Sequence, residues 1–144
     1  MTEEKEFRGA CYEAARRTGG RVAGFVPWAT EGNFDQGHLI HGERTVAVLW
    51  TRAWYDHKSK WDVPGKRWDG LAIAEAPVAY GSIAFADLPE LLAVLGELLP
   101  GVQPLTFAQL QGELDLAEWP WIQPGDMKYW KPESLGQALF NHWD

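Results

Sequence analysis

The first regular pattern of apolar and polar positions covers residues 3–18 and predicts a helix. Apolar side chains recur at i, i+3, i+4, i+7 and i+8, and therefore form one stripe along a helix. The stripe consists of Phe7, Ala10, Cys11, Ala14 and Ala15. Arg16 and Arg17 close the segment, and cations are favoured in the last turn of a helix. The Gly19-Gly20 pair that follows predicts the end of this helix.

The next segments are short and apolar, which predicts strands. Residues 21–26 form the first of them, and residues 30–37 are typical of a polar loop. Residues 38–41 and 44–52 flank Gly42-Glu43, and a glycine at the first central position predicts a type II′ hairpin. Because both faces of the segment 44–52 are apolar, we expect a central strand covered on both sides.

The densest stretch of unusual residues runs from Trp50 to Asp69, with four of the nine tryptophans and five of the thirteen Lys and Arg residues. Val63-Pro64-Gly65-Lys66 has the residues of a type II turn. A hairpin about this turn sets Trp61 opposite Trp68 on one face. The other face then carries two opposite-charge pairs, Asp62 with Arg67 and Lys60 with Asp69. The tryptophans are either a lid on the core or a contact surface, since Trp dominates interface hot spots.

Residues after the dense stretch change from strands to helices. Leu71–Glu75 and Val78–Phe85 are strand-like. A leucine-rich helix follows, in which Asp87 is the predicted N-cap and Glu90 the N3 residue of a capping box. Pro100-Gly101 ends this helix.

Two shorter helices are predicted further along. Thr106, with a glutamine three residues later, begins one of them, and Pro132 or Ser134 begins the last. One helix, a run of strands and then helices is typical of an α+β fold. We therefore expect a single globular domain over residues 1–144. It combines an antiparallel sheet of about four to six strands with an N-terminal helix and three C-terminal helices.

The charge is distributed unevenly between the two halves of the chain. Residues 1–69 have a net charge of +1, whereas residues 70–144 have a net charge of −8 and only two bases, Lys128 and Lys131. An acidic half of this kind repels nucleic acid phosphates, whose binding depends on Lys and Arg. It attracts a basic partner and accelerates the encounter. We therefore predict a basic protein partner and no nucleic acid.

The cysteine content and the N-terminus predict a cytoplasmic protein. Cys11 is the one cysteine, so no internal disulfide can form, which fits a reducing compartment. Because Cys11 lies on the apolar stripe, we interpret it as a small core residue. The N-terminus has no apolar signal-peptide region, and no apolar run reaches the length of a membrane span. We expect no membrane partner.

No catalytic or cofactor motif is recognisable in the sequence. Ser59, Ser82 and Ser134 lie outside any G-x-S-x-G elbow, and no glycine-rich phosphate loop occurs. We therefore predict no catalytic residues and no cofactor. In an alternative hypothesis the chain is a small hydrolase, and Glu75, with tryptophans near it, is then the best candidate acid.

A metal site is the other chemistry that the residues suggest. His38 and His41 are the natural ligands, and the further ligands would be Asp35, Glu43 and His57. Positions 38 and 41 point to opposite sides of a strand, however, and no Cys or His group completes a zinc pattern. We predict no metal.

The C-terminal run from Tyr129-Trp130-Lys131-Pro132 to Phe140-Asn141-His142-Trp143-Asp144 resembles the ends of small bacterial proteins. Some of these look like immunity proteins of polymorphic toxin systems. The resemblance covers about 16 of the 144 residues. It implies an acidic cytoplasmic protein, an antitoxin, that blocks a toxin domain by binding to it.

These observations predict a non-enzymatic protein-binding module, most concretely an immunity-type inhibitor that neutralises a cognate basic toxin or nuclease by occlusion. The predicted contacts comprise three acids for charge complementarity, three tryptophan anchors and a second tryptophan patch. They are Glu113, Asp115 and Glu118, then Trp119, Trp121 and Trp130, and finally Trp61 and Trp68. The alternatives are a small-ligand or carbohydrate-binding domain with exposed tryptophans and, as above, a small hydrolase.

Overall fold

A computed structural model describes residues 3–26, 34–55, 66–76, 83–112, 134–136 and 140 of the chain. Helices and strands follow one another in the order helix, four strands, helix, short strand, helix. Their bounds are α1 Glu3–Thr18, β1 Arg21–Val26, β2 Phe34–His41, β3 Arg44–Tyr55, β4 Lys66–Glu75, α2 Pro89–Leu98, β5 Gln103–Pro104 and α3 Phe107–Gln111. The predicted α+β class is confirmed at this level.

The sheet has five strands in the order β1-β2-β3-β4-β5. Neighbouring strands from β1 to β4 are antiparallel, but β5 is parallel to β4, with Gly70 opposite Gln103 and Leu71 opposite Pro104. The sheet is therefore mixed, and the prediction of a purely antiparallel sheet is wrong. The reason is α2, which lies between β4 and β5 in sequence and returns the chain to run in the direction of β4.

The predictions for α1, β1 and the β2–β3 hairpin are confirmed, and the prediction for the loop before β2 is corrected. α1 and β1 have the predicted bounds, and Gly19 ends α1 with a φ of 79°. The β2–β3 hairpin turns at Gly42, whose φ of 63° suits the predicted turn. Residues 34–37, predicted as part of a loop, belong instead to β2 and are buried. Their polar residues are compatible with a strand because β2 is hydrogen-bonded to a neighbour on both sides.

Both faces of the sheet are buried, as the apolar positions of β3 predict. The face that we call the α1–α2 face packs under these two helices. Its strand residues are Leu39, Val46, Val48, Trp50, Leu71 and Ile73. The opposite face, the α3 face, packs against α3 and the C-terminal residues described. Its members include Phe34, Ala47, Leu49, Ala72, Ala74, Leu105, Leu110, Leu135 and Phe140.

A bulge in β1 fits the edge of the sheet to α1. The register with β2 skips Ala23, so Val22 and Gly24 lie opposite consecutive residues of β2. Strict alternation would place Val22 and Phe25 on opposite faces, whereas the extra residue lets both pack against the core. Phe25 then meets Phe7 of α1 edge-on, with the ring centroids 6.3 Å apart.

α1 lies close to the sheet at Gly37. A Cβ atom on Gly37 would lie 2.7 Å from Sγ of Cys11 and 3.2 Å from the ring of Phe25. Cys11 is fully buried at this contact, and burial raises the pKa of its thiol to about 12. The thiol therefore stays protonated at neutral pH, and the interpretation of Cys11 as a core residue is confirmed.

The two helices after β4 begin in different ways. α3 begins with the predicted capping box, in which the side chain of Thr106 accepts from the backbone N–H of Gln109 and the Gln109 side chain binds back. α2 begins at Pro89 with Leu88 as its N-cap, and no side chain caps it. The predicted cap by Asp87 is thus wrong, because proline has a preset φ and no N–H and so takes the first helical position itself.

The tryptophan-rich hairpin has a register different from the predicted one. Within the β3–β4 ladder, Trp68 lies opposite Ala53 and Asp69 opposite Arg52. β3 continues to Tyr55, which pairs with Lys66, so the long β3 strand supplies the partners that the tight turn was expected to supply. In this ladder Trp68 and Asp69 therefore have partners other than the predicted Trp61 and Lys60, which lie outside the described residues together with the turn at Pro64-Gly65.

Candidate functional site

The predicted contact residues lie almost entirely outside the described residues. These are Glu113, Asp115, Glu118, Trp119, Trp121, Trp130 and Trp61. Trp68 belongs to β4, and its position in the ladder is given by its backbone alone. Gly112, the C-cap of α3, directly precedes Glu113 in the chain, so the predicted acidic segment follows the helix that borders the site described below.

Trp50 is the tryptophan whose side chain the structure describes, and it is a core residue. It is 3% exposed, and its ring lies 5.5 Å from that of Phe7 between centroids. Its indole N–H donates to the Oδ2 of Asp69 at 2.9 Å. A buried indole needs such an acceptor. For Trp50, the interpretation of the dense stretch as a lid on the core is therefore correct.

The charges near the end of α1 are paired within the helix. Glu13 accepts hydrogen bonds from Arg16 at 2.6 Å and from Arg17 at 2.8 Å. The two guanidinium groups lower the pKa of the Glu13 carboxyl from 4.5 to about 2. The last turn of α1 therefore combines acid and base in one exposed cluster.

The exposed charges of α2 are all acidic. Asp87 precedes this helix, Glu90 lies in its first turn, and Glu97 near its end, all exposed. No Lys or Arg occurs anywhere between Arg67 and Lys128 in the sequence. Neither Asp87 nor Glu90 forms an ion pair within the described part of the chain, and Glu97 has one, a 3.7 Å contact with Arg17 of α1. The α2 side of the molecule therefore carries three carboxylates, of which Glu97 alone has an ion-pair partner among the described residues.

A cavity of about 440 Å³ opens beside this acidic helix, between α2, β5 and the start of α3. Its walls are mainly apolar and include Leu88, Leu92, Ala93, Pro104 and Phe107. The cavity is narrow at Gly96, where an added Cβ would lie 3.3 Å from Cγ of Pro104. Its volume falls in the range of small-molecule and side-chain binding sites.

The polar groups of this cavity are Asp87, Glu97 and Thr106. The hydroxyl of Thr106 is engaged in the cap of α3, which leaves two carboxylates for a ligand. An apolar chamber with exposed carboxylates at its border can bind an apolar stem that ends in a positive charge. This site was not predicted from the sequence, because the residues around Asp87 are typical of a helix cap. A carboxylate that caps a helix is already hydrogen-bonded to the backbone and is not expected to bind a ligand.

The histidines make separate contacts with their neighbours. Nε2 of His38 lies 2.8 Å from Oε1 of Gln36, and Nε2 of His41 lies 2.8 Å from Oγ1 of Thr18. Gln36 is 2% exposed, and its Nε2 has no hydrogen-bond partner among the residues that the structure describes. Throughout the ranges that the structure describes, no group of three or more His, Cys, Asp or Glu side chains could hold a metal ion.

Glu75, the candidate acid of the hydrolase alternative, is held in an ion pair. Its Oε2 accepts from Nη2 of Arg44 at 2.5 Å, and both side chains are partly exposed. The hydrogen bond from Arg44 to Glu75 raises the pKa of that guanidinium group. This arrangement joins the start of β3 to the end of β4 and gives Glu75 a structural role.

Comparison of the chain with protein-family models, with characterised proteins and with solved structures finds no match. Among the described helices, none combines the length and the apolar character that crossing a bilayer requires. The geometry of the acidic cavity is therefore the main structural guide to function.

Proposed function

We propose that this chain is a non-enzymatic binding module that inhibits a basic protein by occlusion, as an immunity protein neutralises its cognate toxin or nuclease. The observation that carries the proposal is the acidic surface of α2 and the residues before it, which carry Asp87, Glu90 and Glu97 and no Lys or Arg. Carboxylates that lie near one another on a surface repel, which is unfavourable for the isolated chain. A basic partner reduces this repulsion.

The acidic surface affects both the rate of association and the choice of partner. At physiological salt the screening length is about 8 Å, so neighbouring carboxylates on one surface act on a partner together. Complementary charge of this kind increases the association rate and disfavours partners of the wrong sign. A nuclease binds phosphates through Lys and Arg, and an acidic protein surface competes for the same side chains.

Most of the predicted contact residues follow α3 in the sequence and add further acids and tryptophans to the proposal. Glu113, Asp115 and Glu118 follow α3 within a few residues, and Trp119 and Trp121 come directly after them. In this proposal the acids provide steering and orientation. The tryptophans provide the apolar area that dominates the affinity of interfaces.

The test is co-expression of the chain with the protein encoded by the adjacent open reading frame, followed by calorimetric titration at several salt concentrations. We expect the activity of that protein to be blocked. We also expect the affinity to fall as salt rises, and to fall about ten-fold or more in the Glu113→Lys/Asp115→Lys double variant.

The control is a double variant with the same change in net charge in the basic half of the chain. Glu6→Lys/Glu43→Lys fits, because both side chains are exposed and distant in sequence from the acidic segment. An affinity that responds neither to salt nor to the reversals at Glu113 and Asp115 would refute the electrostatic mechanism.

A further inference from the structure

We propose that the cavity between α2 and α3 receives a lysine or arginine side chain of the basic partner. This inference rests on the proposed function and adds to it the contact that anchors the partner. The cavity and the predicted acidic segment are separate features, so each can be tested without the other.

The walls of the cavity fit the stem of a long cationic side chain. Leu92, Ala93 and Pro104 supply aliphatic surface, and Lys and Arg bury their methylene groups on such surface while the charge stays near water. Phe107, which is half-buried, adds an aromatic ring to the same lining. A guanidinium or ammonium group near an aromatic face gains cation–π attraction.

The carboxylates of the lining fit the charged end. Asp87 is exposed, does not cap α2 and has no ion pair within the described ranges. Glu97 already lies 3.7 Å from a guanidinium group, that of Arg17. The side chains of Arg17 and Glu97 are both exposed. Because exposed ion pairs contribute only about 0–1 kcal/mol, a cation of the partner can replace Arg17 at low cost.

The charge of the molecule selects this occupant over others of similar shape. A second copy of the chain would bring a net charge of −7 to an already acidic surface. A neutral apolar side chain would fill the walls but leave the carboxylate of Asp87 without an ion-pair partner among the described residues. A cation with an apolar stem satisfies both parts of the site.

The inference can be tested on the full chain by NMR, with the peptide acetyl-Gly-Arg-Gly-amide as the probe. Its matched control is the same peptide with citrulline, which keeps the shape of arginine and lacks the charge. We expect the arginine peptide to shift the amide signals of Ala93, Gly96 and Phe107. The citrulline peptide should bind at least about five-fold more weakly.

Three variants locate the binding. Ala93→Leu fills the cavity from an exposed helical position and should abolish the shifts, whereas Ala108→Leu, at an exposed position of α3 outside the lining, should preserve them. Asp87→Asn removes one charge without touching a helix cap, and should weaken binding about two- to five-fold. Equal binding of both peptides, or shifts that persist in Ala93→Leu, would overturn the inference.

Failure here is distinguishable from failure of the proposed function. If the natural partner binds in a salt-sensitive way and Ala93→Leu binds it as well as the unmodified chain, the cavity is not the anchor and only this inference is rejected. If the arginine peptide occupies the cavity but no basic protein is inhibited, the inhibitor proposal is rejected, and the inference with it, because it assigns the cavity to that partner.

Discussion

α1 and α2 pack on the same face of the sheet and share one core, yet they present different surfaces to solvent. The last turn of α1 pairs Glu13 with Arg16 and Arg17. α2 and the residues before it carry carboxylates and no base. In the proposed function, this difference decides what each helix offers to a partner. The last turn of α1 is a closed charge cluster, whereas α2 is an open acidic surface with no base of its own, although Arg17 of α1 reaches Glu97.

The largest expected effect concerns the core that both helices share. Leu95 of α2 is fully buried on the α1–α2 face. Leu95→Ala should lower the free energy of unfolding by about 2–5 kcal/mol, because it removes apolar contacts and leaves a cavity. Chemical denaturation measures the loss, with Leu98→Ala, a half-buried position of the same helix, as the control. Equal losses for the two variants would contradict the placement of α2.

A smaller effect is expected where α1 touches the sheet. Gly37→Ala introduces a Cβ atom only 2.7 Å from Sγ of Cys11 and should cost about 1–3 kcal/mol through strain in a filled core. Gly24→Ala in β1 is the matched control, since a Cβ there meets nothing within 4 Å and should change stability by less than about 0.5 kcal/mol. Comparable destabilisation by both substitutions would show that the contact with Cys11 does not limit the packing of α1.

The smallest effect concerns the closed charge cluster of α1. Because Arg16 and Arg17 lower the pKa of Glu13 to about 2, its charged form is favoured in the folded chain. The stability that it contributes is present above its ordinary pKa of 4.5 and is lost as the pH falls towards 2. Melting temperatures of the unmodified chain and of Glu13→Gln should differ slightly at neutral pH and converge in acid. A difference that grows in acid would contradict this sign.

Local patterns in the sequence predict α1 well, and they do so for a physical reason. The stripe from Phe7 to Ala15, the arginines of the last turn and Gly19 each act within the helix itself. β3 is similarly predictable in its centre, where both faces are apolar. Its continuation to Tyr55 depends on pairing with β4, so the local turn at Pro64-Gly65 suggested the wrong partners.

The parts that long-range contacts decide could not be predicted. β5 has only two residues, and its parallel pairing with β4 depends on where α2 places the chain. The cavity results from that placement, since its walls come from β4, α2, β5 and α3. Asp87 illustrates the consequence, because its neighbours in sequence favour a helix cap while its neighbours in space make it part of the lining of the cavity.

In the proposed function, the open acidic surface of α2, and not the total charge of the chain, binds the partner. The most direct test compares Asp87→Lys/Glu90→Lys with Glu6→Lys/Glu13→Lys, which changes the net charge equally but on α1. Titration with the basic partner should show affinity reduced about ten-fold or more for the α2 variant. For the α1 variant we expect a change of less than about two-fold. Equal reductions in both variants would contradict the claim.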